Sequence, residues 1–343
     1  MGNRSYFLKV IEIIIFNIFK KINIFLFKYI IPIMTVRVPI RRELVEKSLV
    51  YDYWEYSCYL DTLLVIILKN LTRKWRYEFV EKEYSATDFS PLLCGSKRLS
   101  IEDVIDYASK MRTHLYNDIN ILMNPGYQNI KCTDVRRLLA TCLPNMIQNG
   151  RYVTYNPAPI YDLLCDLFPS CKIVAPFILY KDGIPVRSDS EKLALFDVWD
   201  YMGSGNGNTK KEYLWDDIDS DILVFVNNSA PVILKFNEIG IETSVVKING
   251  YEYKRTIEKV RSFGEVLLDN KYRLTGVIIL QGYVPGKESG IHYVGYLVDD
   301  KGGYYYYNDI KSALQKIDRF PNSVWEYSQN SIPQMYFYAR QSF

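Results

Sequence analysis

The chain holds six cysteines, at positions 58, 94, 132, 142, 165 and 171, and two histidines, at 114 and 292. A thiol becomes a working nucleophile when an imidazole takes its proton and a third side chain fixes the ring. Cys58 stands in YSCYLDTLL, at the first turn of an apolar run, Cys58 to Leu68, that reads as a buried helix. Free amide N–H groups and the positive end of the helix dipole favour a thiolate there and can receive an oxyanion. The other five cysteines fall in helical or loop segments without such a setting. His292 opens the apolar segment IHYVGYLV, where a strand core would rather hold Val or Ile. The segment YYYYNDI follows after Asp300, Lys301, Gly302 and Gly303, so a hairpin would bring Asn308 beside His292 to accept its second ring N–H. Alternation puts Asp309 on the opposite strand face, which makes it the alternative orienter. Alternate tyrosines of the run would bury against the sheet and stiffen the hairpin. The chemistry this pattern supports is thiol-dependent hydrolysis: Cys58 attacks, His292 moves the proton and Asn308 orients the imidazole. His114, in KMRTHLYND, reads as part of a solvated helix face.

The elements that would carry these residues fall into two groups. Helical patterns come first: the run from Cys58, then SIEDVIDYASKMRTHL with Ser100 and Asp103 as a capping-box-like start, TDVRRLLATCLPNM and YDLLCDLF. GSGNGNTKK, from Gly203, lacks the strand, spacing and helix of a phosphate-binding signature and reads as a linker. Beyond it strands dominate: DILVFVN, PVILKFN, TSVVKING, YRLTGVIIL, HYVGYLV and YYYYNDI. Helices followed by a mostly antiparallel sheet describe an α+β domain. Tyr283 to Gly290, rich in Gly and Pro, reads as a loop over the cleft. The aspartates at 216, 217, 219 and 221 read as the loop entering DILVFVN or as an acidic patch, in preference to a metal site.

Composition narrows the function classes. A net charge of +3, from 42 Lys and Arg against 39 Asp and Glu, gives no basic field for nucleic acid. The cysteines include no C-x-x-C, so no zinc site, disulfide framework or metal cofactor is expected, and a reducing, cytoplasmic setting fits. Residues 1–34 are strongly apolar, yet Lys9, Glu12, Lys20, Lys21 and Lys28 interrupt every window, so no spanning helix is expected. Lysine stems flanked by apolar residues suit a helix lying on a membrane surface. Its alternatives are a helix docked on the domain, or an upstream extension with Met34 as the start. The expected organisation is thus an extension over residues 1–40 and a catalytic domain over 41–343.

S-C-Y-L-D-T-L-L resembles the cysteine box of the ubiquitin-specific protease family, and G-I-H-Y-V-G-Y-L with Y-Y-Y-Y-N-D resembles its histidine box. LVFVNNSAPVILKFNEIG and QMYFYAR are similar to the strand blocks before the histidine box and at the domain end. The four motifs stand in the family's order over about Leu49 to Arg340. The resemblance implies a papain-like cysteine protease fold, with a helical thumb lobe and a mainly antiparallel β palm lobe. It implies ubiquitin or a ubiquitinated protein as partner, cleavage after the C-terminal Gly-Gly, and Tyr293, Gly290 and Gly295 along the substrate channel. Two departures stand out. The family's oxyanion Asn, about five positions before the nucleophile, is missing, with Asp52, Tyr53 and Glu55 in that region, so the Tyr53 hydroxyl or backbone amides would substitute. The zinc knuckles are also missing, so the fingers are expected to be reduced or metal-free. An AT-biased composition suggests a viral or parasite protein acting in host cytoplasm. The alternatives are an inactive ubiquitin-binding scaffold, and a papain-like protease for another ubiquitin-like tag or a viral precursor.

Overall fold

The computed structural model describes residues 53–70, 82, 84–123, 131–202, 209–227, 242–248, 251–257, 264–282, 291–298, 302–311, 313–324 and 331–341. The expected membrane-surface segment 1–34, the PVILKFN strand, the loop 283–290 and most of the 203–211 linker lie outside these residues. The described residues belong to one unit, Lys47–Phe343. No helix among them is long and apolar enough to cross a membrane.

Helix α1, Cys58–Val65, is buried along its whole length and runs on into a π-helical turn, Ile66–Asn70. CYLDTLLV has apolar residues on nearly every face, so it can only be an interior helix. Helix α2, Ile101–Met123, starts as expected: Asp103 N–H donates to Ser100 Oγ at 3.2 Å and Ser100 N–H to Asp103 Oδ2 at 3.4 Å. Helices α3, Thr133–Cys142, and α4, Pro157–Leu167, follow; α4 begins with Pro at its first position and with Asn156 capping Ala158 N–H at 2.9 Å.

Strands β1, Ile173–Lys181, and β2, Ile184–Leu193, arrive before the expected change near Met202. Their signal is weak because Pro176 interrupts the first and the second, IPVRSDSEKL, has no buried residue. They form a three-stranded sheet with β3, Thr209–Tyr213, in the order β2-β1-β3, so the linker pattern gives way to strand at Thr209. The main sheet uses β4 (Ile222–Val226), β7 (Tyr272–Gln281), β8 (His292–Val298), β9 (Tyr304–Asn308), β10 (Ala313–Ile317) and β11 (Ser331–Arg340). Between β3 and β7, β5 (Glu242–Ile248) and β6 (Tyr251–Ile257) pair as a separate antiparallel hairpin. The main order is β10-β9-β8-β7-β11-β4, antiparallel throughout, with Phe196–Asp197 added in parallel at the β4 edge.

Both faces of this sheet are covered. Ile278, Leu280, Tyr293 and Tyr307 pack with α1, α3 and α4 into one core, while Val277, Ile279, Val294 and Tyr336 pack with Phe196, Trp215 and Phe225 into a second. That is why Val277–Leu280 is apolar without alternation. The architecture is a mixed helix and sheet domain, as expected from the pattern. One feature departs from expectation: Cys94 and Cys142 form a disulfide across a separation of 48 residues.

Candidate active site

The site lies where the N-terminus of α1 meets the start of β8. Thr62 Oγ1 donates to the Tyr293 carbonyl at 3.4 Å. A Cβ on Gly295 would lie 3.0 Å from Thr62 Cγ2 and 3.7 Å from Tyr307 Cβ, so only glycine lets helix and strand approach this closely. Gly295 is therefore accounted for by packing beneath α1. The approach brings Cys58 to the strand, where its sulfur lies within reach of the backbone N–H of Tyr293, the residue after His292. Tyr293 itself is buried and lies close to Cys58 and Tyr59. Gly290 lies outside the described residues.

The hairpin pairs Gly295 with Tyr307 and Val298 with Tyr304, the expected arrangement. Alternation sends Tyr305 and Tyr307 to the helical core and Tyr304 and Tyr306 to the other. His292 Nε2 stands 3.1 Å from Asn308 Oδ1 and 3.3 Å from Asp309 Oδ1. Both expected orienters reach one ring nitrogen, contrary to the expectation that only one could. The reason is local: β9 ends at Asn308 and Asp309 opens a 3-10 turn, Asp309–Lys311, so strand alternation no longer separates them. The Asn308 amide is oriented in turn, since Nδ2 donates to the Tyr306 hydroxyl at 3.2 Å and Oδ1 accepts from Ile310 N–H at 3.1 Å. His114 lies half-buried on α2.

The loop ahead of Cys58 is held by Arg136, a fully buried side chain of α3. Its guanidinium donates to the carbonyls of Trp54 at 2.8 Å and Glu55 at 2.6 Å and to the Tyr59 hydroxyl at 3.2 Å, and lies 4.0 Å over the Tyr152 ring. Glu55 and Tyr56 both have positive φ, 43° and 63°, a conformation L residues avoid unless neighbours enforce it. Tyr53, more than a third exposed, lies near Tyr56, Cys58 and Asp309.

No protein-family model matches the chain. No curated protein sequence matches it either. Solved structures do match in shape. Over 92% of this chain and 74% of the other, with 12% identity and a TM-score of 0.50, it is similar to the SAGA Ubp8/Sgf11/Sus1/Sgf73 DUB module bound to ubiquitin aldehyde. It is similar to a second structure of the SAGA Ubp8/Sgf11/Sus1/Sgf73 DUB module over 92% and 73% of the chains, at 11% identity and a TM-score of 0.51. The fold is ubiquitin-specific-protease-like.

Within this fold the electrostatics depart from the sequence expectation of a depressed thiol pKa. Burial pushes the Cys58 thiol up to about 12; the Tyr293 N–H pulls the other way, and the nearby Asp309 and Asp61 carboxyls push further up. Cys58 is 1% exposed, so desolvation outweighs the helix terminus. Burial therefore favours the neutral form of the Cys58 thiol. Asp309 is raised by burial and lowered by His292, while Asp61, wholly enclosed, is raised well above the carboxylate range by burial. Asp61 and Arg136 were missed as site residues. Their signal was available, since a carboxylate inside CYLDTLLV and an arginine on the buried side of α3 are as out of place as the histidine that drew notice. No cluster of metal-ligating side chains occurs among the described residues. Asp219, in the acidic loop, pairs with Arg340 at 2.6 Å.

Proposed function

We propose that the chain is a cysteine-type deubiquitinase, a ubiquitinyl hydrolase cutting the isopeptide bond after a C-terminal Gly-Gly. The observation that carries the reading is the placement of the Cys58 sulfur within reach of the amide next to His292, whose Nε2 is engaged by Asn308 and Asp309, within this fold. With Nε2 committed to the orienters, Nδ1 is the nitrogen that serves the thiol. Cys58 transfers its proton to His292 as sulfur attacks the carbonyl. The imidazolium, stabilised by Asp309, then protonates the leaving lysine amine and leaves a thioester. Water, deprotonated by His292, cleaves that thioester and regenerates the thiol. The oxyanion is received by the backbone N–H of Cys58 at the α1 terminus and by the Tyr53 hydroxyl, which replaces the family's Asn donor.

In this reading α1 to α4 form the helical thumb of a papain-like fold and the main sheet its palm. The β2-β1-β3 sheet with the β5-β6 hairpin stands for metal-free fingers. Tyr293 and Gly290 border the tail's channel, while Gly295 keeps α1 seated. Domain limits of 1–40 and 41–343, a membrane-surface role for residues 1–34 and a host-cytoplasm setting belong to the same proposal. Cleavage of a ubiquitin–lysine isopeptide conjugate tests it, and Cys58→Ala and His292→Ala should each abolish turnover. A second reading, an inactive ubiquitin-binding scaffold, is favoured by the buried neutral thiol; it predicts ubiquitin binding with no hydrolysis by the unmodified chain.

A further inference from the structure

Asp61 and Asp309 are both fully buried, one on α1 and the other in the turn after β9, and their carboxyls lie within interaction range of each other, with Asp61 Oδ1 enclosed and given no hydrogen-bond donor among the described residues. Two ionised carboxylates offer only acceptors and repel each other, so enclosing both in one buried space favours a proton held between them. The surroundings say where it sits. Asp309 Oδ1 faces His292 Nε2 at 3.3 Å and Ile310 N–H at 2.9 Å, partners that favour its charged form. Asp61 has no cationic partner among the groups facing it. Ser57 Oγ donates to its Oδ2, and the Cys132 thiol is its other neighbour, from the start of α3. Arg136, on α3, is committed to the loop carbonyls and to Tyr59. The remaining charged or titratable groups around the pair are Cys58 on α1, His292 on β8, Tyr53 in the loop, and Asp118 on α2, which acts on Cys132.

We propose that Asp61 is a positioning residue that works as a neutral carboxylic acid, donating its proton to Asp309 and so holding the Asp309 carboxylate on His292. The inference rests on the deubiquitinase reading only for what the pair is for; the shared proton stands on the enclosed pair itself. It links the nucleophile's own helix to the orienting turn: Cys58 and Asp61 lie one helical turn apart on α1, so the acid that fixes Asp309 moves with the thiol. A carboxylic acid at Asp61 also keeps a second full negative charge out of the enclosed space beside Cys58. Asparagine would reproduce the contacts without the proton, since its Oδ1 accepts from Ser57 and Cys132 and its Nδ2 donates to Asp309.

The sign of the pH effect follows from linkage. A carboxyl whose pKa is raised on folding makes the folded state bind more protons, so stability falls as pH rises from the unfolded carboxylate pKa, about 4, toward the folded one. Asp61→Asn has no such proton to lose. Its melting temperature should match the unmodified chain near pH 4 and exceed it by a gap that widens toward pH 8. The infrared carbonyl band of a buried protonated carboxyl should be present at neutral pH in the unmodified chain and missing from Asp61→Asn. Neither measurement involves ubiquitin, so a failure of the substrate reading leaves them intact. In turnover assays Asp61→Asn should keep activity, whereas Asp61→Ala, which leaves Asp309 without its donor, should lower kcat by about ten- to a hundredfold with little change in KM. Parallel melting curves for Asp61→Asn and the unmodified chain across pH would overturn the proposal. So would equal carbonyl bands, or equal kcat losses in the Asn and Ala variants.

Discussion

Replacing Arg136 with alanine should open the loop that precedes the nucleophile, and the size of the effect can be worked from its contacts. The guanidinium makes two short bonds to backbone carbonyls, at 2.8 and 2.6 Å, and a longer one to Tyr59. Charged hydrogen bonds contribute about 1.5–3 kcal/mol net each. Taking the low end for the two short ones, because the freed carbonyls can hydrate, gives about 3 kcal/mol. Lost stacking on the Tyr152 ring adds roughly 1 kcal/mol. Opening also releases the left-handed conformations of Glu55 and Tyr56, which returns about 1 kcal/mol each. The closed loop is thus disfavoured by about 2 kcal/mol, equivalent to a roughly 30-fold fall in turnover. A melting temperature lower by about 4–8 °C should accompany it. Glu55→Gly in the Arg136→Ala background removes strain from the closed form and should recover about 1 kcal/mol, or roughly fivefold in rate. Isopeptide hydrolysis and thermal unfolding of the three variants measure both quantities. Unchanged rate and melting temperature in Arg136→Ala would refute the reasoning, and no recovery with Glu55→Gly would refute the strain component.

Gly295→Ala should cost about 1–3 kcal/mol in chemical denaturation, because the new methyl meets Thr62 Cγ2 at 3.0 Å. Thr62→Ser, which deletes that methyl, should recover most of the loss; no recovery would place the clash elsewhere. The raised Cys58 thiol predicts slow alkylation of the free protein by iodoacetamide at neutral pH, climbing about tenfold per pH unit toward its pKa of about 12. A rate that plateaus below pH 7 would mean a resting thiolate. Asn308→Ala and Asp309→Ala should each lower turnover about ten- to a hundredfold, since both reach His292 Nε2. A loss confined to one of them would assign orientation to that residue alone.

Much of the site could be read before any geometry was known. An interior helix starting at a cysteine, a histidine opening a strand and an amide closing its hairpin partner are patterns of period and position, and the ladder joining Gly295 to Tyr307 delivers them. The charge state of the site was harder to read. The helix terminus argued for a thiolate at Cys58, but how far burial opposes it depends on what packs over α1, which no local pattern encodes. Asp61 and Arg136 escaped for a related reason, since each finds its partner far along the chain: Asp309 for one, Trp54 and Glu55 for the other. The assignment of Asn308 and Asp309 to opposite faces failed because β9 ends one residue earlier than strict alternation requires. Strands β1 and β2 were hidden by Pro176 and by the polar, largely solvated composition of β2.

The most direct test of the central claim is reaction of the full chain with ubiquitin bearing a C-terminal electrophile, followed by peptide mass mapping of the adduct. The account predicts a single covalent adduct on Cys58, lost in Cys58→Ala and strongly slowed in His292→Ala. Full occupancy of the protein by ubiquitin with no adduct on Cys58, or an adduct on any of the other cysteines, would contradict it.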